Sequence, residues 1–97
     1  MQKPKAKVTK SFQVQVPQGV RWNLGVEVGG YVEFKVQDHT AVLKPAFTKK
    51  RGCHISKMSV RFQLSIPFEV LFQMGANVGQ YLEFSIEKGD VTIRKVA

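Results

Sequence analysis

The sequence holds one cysteine, Cys53, in 97 residues. A single thiol closes no internal disulfide, so a packed core has to supply the stability, and a lone cysteine suits a reducing compartment. His54 stands beside it, but two adjacent ligands fall short of the four that a zinc site wants, so no metal is expected. Long apolar runs are missing too. Nothing approaches the roughly 18 residues of a membrane span. The opening "MQKPKAKVTK" leads into alternating residues rather than into the apolar block of a secretory signal. The chain therefore reads as soluble and cytoplasmic, with no membrane partner.

Acidic residues are scarce, seven against fifteen lysines and arginines. They are scattered, and Glu27, Glu33 and Glu83 fall at turn or strand positions that face solvent, so the sequence sets up no carboxylate pair for acid–base work. Ser11, Ser56, Ser59 and Ser65 have no base nearby in sequence, and no glycine-rich phosphate loop is present. His39 falls in an expected turn and His54 in a linker. With no constellation of nucleophile, base and stabilising donor, the sequence points away from an enzyme and implies no cofactor.

What the chain does have is positive charge, and it is segregated. The formal net charge is +8. Residues 1–10 carry Lys3, Lys5, Lys7 and Lys10 with no acid, and residues 44–61 carry Lys44, Lys49, Lys50, Arg51, Lys57 and Arg61 with none either. The remaining stretches, 11–43 and 62–97, are each close to neutral. A solubilising surface mixes its signs, whereas two acid-free basic blocks suggest a polyanionic partner.

Each basic block precedes one copy of a repeat. Displaced by 50 residues, positions 12–44 align with 62–94 without a gap, and 10 of the 33 pairs are identical, among them Phe12/Phe62, Pro17/Pro67, Gly25/Gly75 and Tyr31/Tyr81. This is the mark of a duplicated unit. Phe12, Val14 and Val16 alternate with glutamines, as a half-buried strand does, and Phe62, Leu64 and Ile66 follow suit. Pro17 and Pro67 end those strands and suit the first turn of a helix. The helix is brief, with Val20 and Leu24, or Val70 and Met74, on its inner face and Gly25 or Gly75 at a left-handed cap. "YVEFKV" and "YLEFSI" give further strands, and the turns "QDHT" and "EKGD" lead into the last ones. "KAKVTK" and "HISKMSVR" can add a strand ahead of each copy. The expectation is a mainly β protein with two short helices, built as tandem ββαββ units. The first unit spans residues 1–46, a basic linker 47–56 and the second unit 57–97. One unit alone buries too little apolar surface to fold, so the two should share a core.

The stretch "AKVTKSFQVQVPQGVRWNLGVEVGGYVEFKVQDHTAVLKPA" resembles the SpoVT/AbrB/MazE family of swapped-hairpin DNA-binding domains. The likeness lies in Val8, Thr9, Gln13, Val14, Val16, Pro17, Val20, Arg21, Leu24, Gly25, Val26, Gly29, Val32, Glu33 and Phe34, and it recurs at Gln63, Ile66, Pro67, Val70, Gly75, Gly79, Leu82, Glu83 and Phe84. The resemblance implies an AbrB-like swapped-hairpin β-barrel formed by the two units as a pseudo-dimer, whose hairpins and helix starts form a basic DNA-binding face. The alternative is a double-psi or RIFT-type cradle-loop barrel. Phe12 and Phe62 replace the family's glycine or small residue, so that turn is expected to be built differently. Gly30 and Gln80 replace the aspartate that customarily follows Gly29 or Gly79.

On this reading the partner is double-stranded DNA and the role that of a transcriptional regulator or a small, nucleoid-associated DNA-organising protein. Lys7, Lys10, Lys57 and Arg61 would contact phosphates, and Lys49, Lys50 and Arg51 would either add a third contact or only solubilise the linker. Arg21, expected to project from the first helix, is the candidate for a base edge or a narrow groove. The second copy has Leu71 there, and its helix "PFEVLFQMG" is apolar nearly all round. Phe68, Leu71 and Phe72 are accordingly expected to form a protein interface, most simply with a second copy of the chain. A toxin partner, as for MazE-like antitoxins, is disfavoured because the chain stops at "VTIRKVA" with no wrapping tail. A protein-binding barrel with no nucleic-acid role is the remaining alternative.

Overall fold

The structure is a computed structural model and describes residues 4–46 and 54–96. Alternating apolar residues produce short strands, and the two prolines separate strands from helices. In chain order the elements are β1 (Lys5–Lys7), β2 (Gln13–Gln15), α1 (Gln18–Leu24), β3 (Tyr31–Gln37) and β4 (Thr40–Ala46), then β5 (His54–Lys57), β6 (Gln63–Ser65), α2 (Phe68–Met74), β7 (Tyr81–Glu87) and β8 (Asp90–Lys95). Pro17 and Pro67 stand just ahead of the helices rather than inside their first turn, and no side chain caps either helix start. Gly25 and Gly75 stop the helices in the left-handed conformation, with φ of 68° and 76°. There a Cβ would be strained.

Six strands form one antiparallel sheet in the order β1-β7-β8-β4-β3-β5, which curls into a half-barrel; β2 and β6 form a separate two-stranded ladder. The protein is thus mainly β with two helices and belongs to the barrel class. The pairing is unchanged when the halves are exchanged: Lys7 lies opposite Tyr81 and Lys57 opposite Tyr31, while Val42 faces Thr92 on the central pair of strands. Two-residue turns close the long hairpins, with positive φ at Asp38 and His39 and at Lys88 and Gly89. That is the backbone of a hairpin turn matched to strand twist.

A single core joins both halves. Val14, Val16, Leu64 and Ile66 from the ladder meet Val32, Phe34, Leu43, Leu82, Phe84 and Ile93 from the sheet, all almost fully buried. The ladder therefore covers the open side of the half-barrel, and alternation turns its other face outward. The helices pack at the rim, α1 against β7, β8 and β4, and α2 against β3 and β4.

One expectation fails here. Leu71 does not belong to an exposed face; it is 2% exposed and packs in the core with Val70 and Met74. The inward stripe of α2 is wide enough to include position 71, so only Phe68 and Phe72, one turn apart, remain outside at 66% and 76% exposure.

Candidate nucleic-acid interface

The ladder joins the two hairpins that carry Lys7, Lys10, Lys57 and Arg61. Gln13 pairs with Ser65, Val14 with Leu64 and Gln15 with Gln63, so the outer face carries Gln13, Gln15, Gln63 and Ser65. Two further hydrogen bonds, Val16 N–H to Phe62 O and Ile66 N–H to Phe12 O, extend it at both ends. Gln15 donates from Nε2 to Arg61 O at 2.8 Å, which ties one strand to the turn of the other, and Gln13 Nε2 lies 3.4 Å from Ser65 Oγ.

The turns that enter β2 and β6 sit at the two ends of this ladder. Phe12 and Phe62 are four residue steps apart along it, about 13 Å at the rise of a strand. In each turn the residue at position 12 or 62 donates its N–H to Thr9 O or Ser59 O, and Thr9 or Ser59 donates to the carbonyl of Gln13 or Gln63. Phe12 and Phe62 have φ of 60° and 57°, the left-handed conformation that glycine adopts without penalty. For a phenylalanine this costs about 1–2 kcal/mol.

The rings account for that strain. The guanidinium of Arg21 lies over the Phe62 ring, 3.6 Å from its centroid, and Phe12 meets Phe68 edge to face at 6.1 Å. Each turn therefore holds the helix that starts beside it. The sequence counted Phe12 and Phe62 in the alternation of the strands as well as flagging them as departures at a turn; both stand in the turn, ahead of β2 and β6. The available signal was a large ring standing twice where glycine is expected.

Among the cations expected at a polyanion, Lys7, Lys10, Lys57 and Arg61 are exposed on the hairpins that flank the ladder. Lys49, Lys50 and Arg51 lie outside the described residues. No aspartate or glutamate precedes Glu27 in the chain, and none lies between Asp38 and Glu69. Asp38, Glu87 and Asp90 instead sit at the far tips of the long hairpins, about 20 Å along seven-residue strands. Arg21 departs from its expected place. It does not project from α1 but is half-buried against Phe62, with Nε enclosed and without a hydrogen-bond partner among the described residues.

Beside Arg21 is an open hollow of about 710 Å³ lined by Arg21, Trp22, Gly25, Val26, Glu27, Val28 and Phe62. The corresponding place in the second half, lined by Phe12, Phe68, Leu71, Phe72, Ala76, Asn77 and Val78, is about 320 Å³. Among the described residues no group of three or more His, Cys, Asp or Glu can hold a metal ion, and no helix is long and apolar enough to cross a membrane.

No known family model matches the chain, and no curated protein matches it. Among solved structures it is similar to the solution structure of PHS018 from Pyrococcus horikoshii, at 16% identity and a TM-score of 0.54, over 98% of this chain and 88% of that one. That likeness extends to the fold alone.

Proposed function

We propose that the protein binds double-stranded DNA, with the β2–β6 ladder as the recognition ribbon, and acts as a transcriptional regulator or DNA-organising protein. The observation that carries the reading is a polar two-stranded ribbon whose own hairpins carry the exposed Lys7, Lys10, Lys57 and Arg61 and no carboxylate. A major groove about 12 Å wide admits a two-stranded ribbon. Turns about 13 Å apart suit its two phosphate walls, with Gln13, Gln63 and Ser65 toward base edges. Exchange of strands between halves, β1 onto β7 and β5 onto β3, supports the interleaved swapped-hairpin barrel of the SpoVT/AbrB/MazE-like family. The exposed Phe68 and Phe72 on α2 serve self-association.

The test is a titration of AT-rich and GC-rich duplexes at two salt concentrations with the wild type and with a variant in which Lys7, Lys10, Lys57 and Arg61 are all glutamate. Retention of wild-type affinity by the reversed variant would refute the proposal.

A further inference from the structure

We infer that copies of this protein join head to tail, α2 of one copy entering the hollow beside α1 of the next. The inference rests on the self-association part of the function proposed above and gives it a geometry. The two helices occupy equivalent places at the ends of the ladder, yet their outer faces are complementary rather than alike. On α2, Phe68 and Phe72 stack at 6.3 Å and stand out into solvent, flanked by Glu69, whose side chain is 76% exposed and 3.7 Å from His54. Glu69 is an acid in the first turn, and α2 has no basic residue in its last turn.

On α1 the pattern is inverted. It has no acid in its first turn and carries Arg21, which lines the hollow with its guanidinium while its Nε is enclosed. Where α2 has Phe68, α1 has Gln18, which does not line the hollow, so the space beside α1 is about 710 Å³ and that beside α2 about 320 Å³. The larger space has an apolar wall of Trp22, Val26, Val28 and Phe62, with Trp22 74% exposed. An aromatic knob beside a carboxylate thus faces an aromatic-walled hollow beside a guanidinium. Glu27 also lines the hollow, so Glu69 is expected to enter on the Arg21 side and away from Glu27.

A second copy is the occupant this chemistry fits best, because knob and hollow belong to the same chain. The contact uses different surfaces on the two copies, so each bound copy still offers one free knob and one free hollow, and association continues into a chain or a ring. Two α2 helices meeting each other would bring Glu69 against Glu69 and leave the Trp22 hollow open.

The experiment is sedimentation velocity of the full chain, without DNA, over a wide concentration range. Trp22→Asp removes the hollow's aromatic wall and sets a carboxylate there against Glu69, and Phe72→Ser removes the knob; both positions are solvent-exposed, and circular dichroism checks that both variants fold. The expected result is a wild-type mass that climbs past twice the monomer, two variants that each stay monomeric, and an equimolar mixture that forms a 1:1 dimer and grows no further. A Trp22→Asp variant that dimerises alone, or a mixture that stays monomeric, would overturn the head-to-tail contact while leaving self-association standing. A wild type that stays monomeric throughout would overturn both. The DNA reading is tested apart from all three by the charge-reversed variant.

Discussion

Replacing Lys7, Lys10, Lys57 and Arg61 with alanine should flatten the salt dependence of duplex binding. If each cation neutralises one phosphate, each contributes about −0.9 to the slope of log K against log salt, and the four together about −3.6. Raising salt from about 50 to about 200 mM would then weaken the wild type about 150-fold through these residues, and about 3.5-fold through each one. Lys10→Ala alone should therefore lower the steepness by about 0.9, and by the same amount on AT-rich and GC-rich duplexes, since phosphate contacts carry no sequence information. Gln63→Ala should behave in the opposite way. It leaves the slope alone and changes the preference between duplexes, because an amide reads adenine edges. Lys88 at the far tip of the β7–β8 hairpin, between Glu87 and Asp90 in its turn, is the control, and Lys88→Ala should leave both quantities unchanged. Fluorescence anisotropy across a salt series reads all of this. A fourfold variant whose slope stays within about 0.5 of wild type would refute the placement of the phosphate contacts on these hairpins.

Arg21→Leu should raise stability by about 0.5–1 kcal/mol, because removing an enclosed, unpartnered Nε outweighs a cation–π contact of about 0.5–1 kcal/mol. Leu71 already fills the equivalent site at 2% exposure, and a fall in the urea midpoint would show that Arg21 is a structural residue. Gly30→Ala should cost about 1–3 kcal/mol. A Cβ there would lie 2.8 Å from Val26 Cγ1 and 3.0 Å from Glu27 O. Adding Val26→Ala should recover part of that loss, as Gln80 in the second half stands opposite Ala76 rather than a valine; equal and additive costs would refute the coupling. Leu64→Ala, at the centre of the ladder, should cost about 2–5 kcal/mol in a single unfolding transition, since both halves share one core. Two separate transitions would contradict that.

Strands, helices and caps were legible because each rests on local chemistry. Alternation in "FQVQV" and "FQLSI" marked Val14, Val16, Leu64 and Ile66 as inward, though it also counted Phe12 and Phe62, which stand in the turns, and Gly25 and Gly75 announced the helix ends. The length of β4, which runs to Ala46, was not, because Lys44 and Pro45 carry no alternation signal and are held in the strand by pairing with Glu33 and Val32. The position of Arg21 was hidden for a related reason. Helical spacing places residue 21 at the helix surface, but the ring that receives it comes from Phe62, 41 positions away, and from a backbone conformation no phenylalanine favours. Leu71 was misplaced because the spacing of Val70 and Met74 marked the middle of the inner stripe of α2 but not its width, which in a helix apolar nearly all round extends to Leu71.

Joining two halves in one chain allows what two identical chains cannot. In a dimer of identical units every side chain appears on both sides of the axis, so an arginine at position 21 would be matched by another at position 71. Here the strand pairing keeps the two-fold relation while Arg21 and Leu71 differ across it. If the ribbon enters a groove as proposed, Gln13 opposite Ser65 and Gln15 opposite Gln63 would present nearly equal halves to it and call for a nearly palindromic core sequence. The flanks are unequal, since one end of the ladder has a guanidinium and the other Phe12, Phe68 and Phe72. Duplexes selected from a random pool should therefore be symmetric over the central base pairs and constrained on one flank only. Arg21→Leu should remove that one-sided constraint while leaving the central symmetry. Selected sites that are equally constrained on both flanks would mean that the arginine plays no part in choosing them.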